Sequence, residues 1–299
     1  MEKVLLILNG SAGKGKMRSA AYEIIEKICL KECIVTVLPI SPDKGLDMKA
    51  FDDAEWEKYD RIICAGGDGT LNHTINAIMK KNISSSVSLG YIPSGSTNDF
   101  AKSIGLSEDV KRAAEVAVSG EPFYYDIGRF NDNYFNYVAA FGAFSAVSYS
   151  TSQDFKNALG HAAYVLEGIN RLPENIRFNI PMKIKTDVFE EEGNYVFGAI
   201  HNATSIGGFS LNTNGSVELN DGLFEMILIK APQNLIELSQ ITQGLLSGNF
   251  DSPLISFHQI KSATITSDTF VAWSLDGEYG GKAKNVEFNV IPSAIQINV

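Results

Sequence analysis

Hydrophobic and polar positions divide this chain into two textures. The apolar run VLLIL (4–8) ends at Asn-Gly, and Ala21, Ile24, Ile25 and Ile28 then recur at i, i+3, i+4 and i+7, the spacing of one helix face. IVTVLPI (34–40), RIICAGG (61–67) and SLGYIP (88–93) read as three further strands. Leu71, Ile75, Ile78 and Met79 mark a helix after the third strand. Helical stretches follow from about Asp99 and along Val110, Ala113, Ala114 and Ala117. Strand and helix in alternation predict a mostly parallel sheet covered by helices.

After about residue 122 the period changes. YYDIGRFNDNYFNYVAAFG reads as two strands around a turn at NDN, and FNIPMKIKTDVFEEEGNYVFGAI as a hairpin turning at EEEGN. LFEMILIK, SATITS, VAWSLDGEYGG and NVEFNVIPSAIQINV are strand-like, and helices interrupt at 156–172 and 234–248. The expectation is a β-rich second domain, joined near 122–128 by so short a junction that a cleft between the domains follows. The chain shows no internal repeat, low-complexity segment or long linker.

Composition narrows the partners. Of 299 residues, 44% are apolar, enough for a real core. The net charge of −10, from 25 basic and 35 acidic side chains, argues against general nucleic-acid binding and confines any attraction to anionic lipid to a local patch. No run approaches the roughly 18 to 20 apolar residues of a membrane span, and VLLIL is too short for a signal-peptide core. Three cysteines, Cys29, Cys33 and Cys64, do not form a disulfide framework and suit a reducing cytoplasm. CLKEC (29–33) falls on the first predicted helix and reads as buried or inert thiols rather than a metal site. The histidines at 73, 161, 201 and 258 lack metal-ligand spacing and read as structural or surface groups.

Candidate chemistry gathers at the strand ends, where parallel sheets bind ligands. NGSAGKGK follows strand one, GGDGT strand three and PSGSTNDF strand four. Glycines let backbone N–H groups converge on an anion, Thr70 could cap the following helix, and that helix N-terminus favours phosphate. Asp68 would repel a bare phosphate, but it suits a bridging Mg²⁺ or water. The same segment is also good chemistry for a plain turn. Together the loops put Asp68, Asp99 and Lys14 around one site, which favours a nucleotide. SAGKGK is not a Walker A sequence.

In the second texture SLDGEYGG places Asp276 and Glu278 on one face if the segment stays extended. Either could receive a hydroxyl proton, and the segment could equally be an Asp-Gly hairpin turn. ELNDGLFE offers Asp221 either for a cation or for a turn, and Asp126 sits at the junction.

In this order GGDGTLNHTINAIM, GYIPSGSTNDFAKSIG, YYDIGR, GHAAYVLEGINRL, LNDGLFEMILI and SLDGEYGG resemble the bacterial soluble diacylglycerol-kinase-like lipid kinases, over nearly the whole chain. The resemblance implies an α/β nucleotide-binding domain of phosphofructokinase/NAD-kinase type over 1–128, to which 292–299 return. It implies a β-sandwich lipid-substrate domain over 129–291. Asn9, Gly10, Lys14, Ser41, Gly66, Gly67, Asp68, Gly69, Thr70, Leu71, Asn72, Ser96, Thr97, Asn98 and Asp99 would then hold ATP, with Asp68 and Asp99 managing its Mg²⁺. Asp221, with Glu218 and Leu223, would hold a second Mg²⁺ linked through water towards Asp126. Glu278 or Asp276 would be the base. Two segments depart from the family pattern: NGSAG stands where many members have Asn-Pro, and GSTND where Gly-Thr-Ala-Asn-Asp is commoner.

The expected activity is ATP-dependent phosphorylation of a lipid hydroxyl, with diacylglycerol or a related glycerolipid as acceptor. Contact with the membrane would be peripheral, and a homodimer is among the expected assemblies. A kinase for a soluble acceptor such as NAD, and a non-catalytic nucleotide or lipid sensor, are the alternatives.

Overall fold

The computed structural model describes residues 1–40, 53–95, 98–142, 179–203, 205–206, 209–210, 217–247, 250 and 252–299. The chain divides into two units, Met1–Ile127 with Ile291–Val299, and Gly128–Val290.

Unit 1 follows the alternating pattern. Its elements are β1 (Lys3–Asn9), α1 (Lys16–Cys29), β2 (Ile34–Ile40), β3 (Arg61–Gly66), α2 (Asp68–Lys80), β4 (Ser88–Pro93), α3 (Asp99–Ser103) and α4 (Val110–Ser119), and β5 (Pro122–Phe130) begins in it. β1 lies between β2 and β3, β4 pairs with β3, and every one of these pairings is parallel. β1, β3 and β4 are almost wholly buried, as expected of strands covered on both faces. Val4, Leu6, Ile24, Ile28, Ile63, Ile92 and Ala113 form the core between strands and helices. Leu71, Ile75, Ile78 and Met79 turn the buried stripe of α2 inward.

Unit 2 is antiparallel. It contains β6 (Asn133–Phe135), β7 (Val138–Gly142), β8 (Ile180–Thr186), β9 (Glu190–His201), the two-residue strands β10 (Ser205–Ile206) and β11 (Phe209–Ser210), β12 (Phe224–Lys230), α5 (Leu235–Ser247), β13 (Ile255–Ile260) and β14 (Ser262–Leu275). β15 (Glu278–Asn298) begins here and ends in unit 1. β9 pairs with β8 through its first half and with β7 through its second, and β14 does the same from the other side. These four strands therefore close a ring, which leaves no free edge between them. Phe135, Phe141, Tyr195, Phe224, Trp273 and Phe288 fill the core of the unit. Phe141 meets Trp273 edge-on at 4.9 Å, a favoured aromatic geometry.

The chain returns to unit 1 within β15. Ile297 pairs in parallel with Leu89 of β4, and Val299 and Glu121 exchange both backbone hydrogen bonds.

Two sequence expectations are corrected. EEEGN does not turn: it lies inside β9, where Glu190 and Glu192 face Lys185 and Lys183 across the ladder. The turn falls at Thr186–Phe189 instead, where the Thr186 hydroxyl accepts the N–H groups of Val188 and Phe189. CLKEC is not helical throughout. The helix ends at Cys29, and Glu32 takes the left-handed conformation (φ 57°), so exposed Cys29 and buried Cys33 are separated by a turn. The expected helix at 156–172 lies outside the described residues.

Candidate active site

Three loops meet beyond the carboxyl ends of β1, β3 and β4. Asn9 closes β1: its Nδ2 donates to Thr70 Oγ1 at 3.0 Å, and its Oδ1 accepts the N–H and hydroxyl of Ser11. The N–H of Ser94, after β4, donates to Gly66 O at 2.8 Å. Gly95 N–H donates to Asn98 Oδ1 at 2.7 Å, and Asn98, in the left-handed region, starts α3. A Cβ on Gly13 would lie 2.3 Å from Ser94 Oγ, and one on Gly95 2.8 Å from Asn98 Oδ1 and 3.4 Å from Asp68 Oδ2. Glycine at these two positions lets the loops touch.

Thr70 does not cap α2. The N-cap is Gly67, no side chain caps the helix, and Thr70 sits inside the first turn with its hydroxyl taken by Asn9. Helices leave their first N–H groups without intrahelical partners, so this uncapped start offers donors and a partial positive charge to an anion. Asp68, in the same turn, is half-buried with its carboxylate towards Gly95, and Asp99 is 2% exposed. Leu71 and Asn72 are buried in α2. Ser94 Oγ is buried and has no hydrogen-bond partner among the described residues. Cys64, beneath the loop in β3, is fully enclosed; burial pushes its thiol up to about 12, so it is inert.

Among the expected nucleotide residues, Asn9, Gly10, Gly66 to Asn72, Asn98 and Asp99 lie on these loops or in the first turns of α2 and α3. Ser41, Ser96 and Thr97 lie outside the described residues, as does the side chain of Lys14. Gly13, Ser94 and Gly95 belong to the same surface although sequence reasoning did not single them out. The signal was present, since each lies inside a segment already picked for its glycines and hydroxyls.

Asp126, also in unit 1, is fully buried. Its Oδ1 accepts the N–H of Ser293 at 2.7 Å, which ties β5 to the returning end of β15.

In unit 2, SLDGEYGG is not extended. Asp276 and Gly277 have φ of 51° and 85°, the positive pair of a type I′ turn, and Leu275 pairs with Glu278. The two carboxylates therefore part. Asp276 is 3% exposed, its Oδ2 accepting Asn136 N–H at 2.7 Å and its Oδ1 accepting Tyr137 and Val138 N–H at 2.9 and 3.1 Å. Glu278 is exposed at the tip.

ELNDG is a turn before β12. Asp221 is exposed, its Oδ1 accepts Leu223 N–H at 2.9 Å, and Asn202 Nδ2 donates to Leu219 O at 3.2 Å; Glu218 is exposed. Among the described residues no group of three or more His, Cys, Asp or Glu side chains is clustered to hold a metal ion. A cation here would rest on one carboxylate, backbone carbonyls and water, a donor set that suits Mg²⁺.

The cross-strand pair His201–Glu225, 24 residues apart in sequence, had no sequence signal. Both are buried, with His201 Nδ1 3.9 Å from Glu225 Oε2, and Gln259 Nε2 donates to Glu225 Oε1 at 3.2 Å. Burial lowers the imidazole to about 3 and raises the carboxyl to about 7. His201 is thus a neutral core residue.

Residues 3–130 match the model of the diacylglycerol kinase catalytic domain. A diacylglycerol kinase of Staphylococcus saprophyticus is 35% identical over 76% of this chain and 72% of its own. One from Staphylococcus aureus strain JH9 is 34% identical over 76% and 70%. A crystal structure of a diacylglycerol kinase from Bacillus anthracis str. Sterne superposes with a TM-score of 0.76 at 23% identity, covering 99% of this chain and 96% of that one; it shows a shared fold. No helix among the described residues is long and apolar enough to cross a membrane. The chain belongs to the diacylglycerol kinase family, phosphotransferases that act on an alcohol group.

Proposed function

We propose that the protein uses ATP to phosphorylate a lipid hydroxyl, with diacylglycerol or a related glycerolipid as acceptor. The observation that carries this reading is the meeting of the three loops at Asn9–Thr70, Gly66–Ser94 and Gly67–Gly95. They leave uncapped helix N–H groups, close-packed glycine backbone and the partnerless Ser94 hydroxyl on one surface. These groups fit a polyphosphate, which needs many donors and little steric bulk. Unit 1 would then be the phosphofructokinase/NAD-kinase-like nucleotide domain, and unit 2 the sandwich-type lipid domain.

Asn9, Gly10, the segment Gly66 to Asn72, Asn98 and Asp99 would hold the nucleotide, together with Lys14, Ser41, Ser96 and Thr97. Asp68 and Asp99 would carry its Mg²⁺. Asp221, with backbone groups of Glu218 and Leu223, would hold the second Mg²⁺. When bound, the nucleotide supplies the phosphoryl group and the cation offsets its charge. The residues orient these groups and take up the proton. Glu278 is assigned as the base because its carboxylate stands open at the hairpin tip. Asp276, whose two oxygens already accept three N–H groups, is assigned to fix the turn that presents it.

Labelled ATP with Mg²⁺, offered with mixed micelles of several glycerolipids and separately with NAD, tests the reading. Label in the lipid fraction that disappears in Asp68→Ala and Glu278→Ala is the expected result. Labelled NADP would replace the acceptor, and nucleotide binding without any labelled product would replace catalysis by sensing.

A further inference from the structure

Asn202 follows β9 directly, is 1% exposed, and joins two turns of unit 2 that are distant in sequence. Its Nδ2 donates to Leu219 O at 3.2 Å, and its backbone N–H donates to Tyr137 O at 2.9 Å. Tyr137 N–H in turn donates to Asp276 Oδ1 at 2.9 Å, and Asp276 N–H to Val138 O at 2.8 Å. One path of hydrogen bonds and short backbone links thus runs from the Glu218–Leu223 turn to the hairpin that presents Glu278.

The turn leans on that path. Glu218, Asn220 and Asp221 are exposed, Gly222 has a φ of 76°, and Asp221 Oδ1 supplies only a local tie to Leu223 N–H. Leu219 is the buried residue of the turn, and its carbonyl is where Asn202 holds the loop from outside. A carbonyl can only accept, so the amide nitrogen of Asn202 has to face Leu219 and its Oδ1 has to face away. That Oδ1 is buried, and no donor meets it among the described residues. A buried acceptor without a donor costs stability, and water held by a divalent cation is a strong donor. The orphaned oxygen therefore suits a hydrated cation at this turn.

We infer that Asn202 is a positioning residue that fixes the Glu218–Leu223 turn in its cation-binding form and couples it, through Tyr137, to the Asp276–Glu278 hairpin. Nδ2 fixes the backbone next to the carbonyls that face the cation, and Oδ1 accepts from the cation's water. Partners of this outer kind set affinity almost as strongly as the ligands themselves. A cation bound at Asp221 then steadies the backbone strap of residues 136–138, and with it the hairpin. This inference rests on the assignment of the second Mg²⁺ above.

Mn²⁺ titration of the full chain without nucleotide, followed by electron paramagnetic resonance, tests the first half. The binding that Asp221→Ala removes belongs to the turn, and Asn202→Ala should weaken it by about 10- to 100-fold. Unchanged Mn²⁺ affinity in Asn202→Ala, with or without a lower unfolding midpoint, would reduce Asn202 to a structural tie and overturn the inference. Hydrogen exchange of the parent tests the second half without any change at Asn202. Mg²⁺ at about 100 times its Kd should slow exchange in peptides spanning 134–140 and 274–280 by up to about 100-fold, and Asp221→Ala should abolish the slowing. Slowing confined to 218–223 would overturn the coupling. No Mn²⁺ binding sensitive to Asp221→Ala in the parent would remove the second cation and this inference together. The lipid-kinase reading would stand or fall separately, on label transfer to lipid.

Discussion

Asp68-Gly69 opens a helix in unit 1, and Asp276-Gly277 closes a hairpin in unit 2. The same dipeptide is steered by its neighbours. Before Asp68 stands Gly67 in an extended conformation, and after it comes a helical period, so the carboxylate lands in a first turn, half-buried and facing a glycine loop. Asp276 lies between two strands of period two, where only a left-handed pair of residues lets the chain reverse. Its carboxylate is driven inward and saturated by backbone donors. An aspartate's chemistry is thus set by which groups donate to it, and the identity of the dipeptide says little.

The contrast can be broken in graded ways. Glu278→Gln should give the largest effect, a 10²- to 10⁴-fold fall in kcat with nucleotide affinity retained, read from steady-state kinetics and nucleotide titration. Retained kcat would move the base elsewhere. Asp276→Ala should act on the fold: three N–H groups lose their acceptor, and urea unfolding should show a loss of about 3–5 kcal/mol. A stable Asp276→Ala protein with lost turnover would instead return Asp276 to the chemistry.

Glu225 is a third case, a buried carboxyl with a single side-chain donor. Its folded-state pKa, raised from 4.5 to about 7, means that the folded protein keeps the proton longer than the unfolded chain. This contribution is full below pH 4.5 and is lost as pH rises towards 7. His201, lowered from 6.5 to about 3, contributes the opposite slope, with stability lost as pH falls from 6.5 towards 3. Glu225→Gln should therefore gain on the parent by roughly 1–3 kcal/mol between pH 4.5 and 7, in unfolding curves taken across that range. A difference that does not vary with pH would remove Glu225 from the titration. The smallest effect is expected from Gly277→Ala. Nothing lies within 4 Å of the added Cβ, so only the positive φ is strained, and about 1 kcal/mol is lost.

The parallel sheet was legible because fully buried strands write themselves as short apolar runs, and β1, β3 and β4 do so. The three loops beyond β1, β3 and β4 were legible through their glycines. Contacts between distant segments were not. The Asp276 carboxylate reaches backbone near residue 136, and His201 meets Glu225 across a ladder; nothing local foretells either. EEEGN misled for a physical reason. A glycine and clustered acids look like a turn, although these acids are the outward partners of Lys183 and Lys185, and Thr186 held the real turn signal. Which of the Asp276 and Glu278 carboxylates is buried and which exposed needed the sign of φ at residue 276, which Asp-Gly permits but does not dictate.

Unit 1 takes its residues from both ends of the sequence, whereas unit 2 is a single continuous segment. A ribosome making this chain from the N-terminus would release β1 to β4 early, with the flank of β4 waiting for Ile297 and the ends of β5 and α4 waiting for Val299. Unit 2 could close while unit 1 was still short of its last strand. Residues 291–299 would thus complete the sheet of unit 1 last during synthesis, and their loss would leave the ring of unit 2 whole and the flank of β4 without its parallel partner.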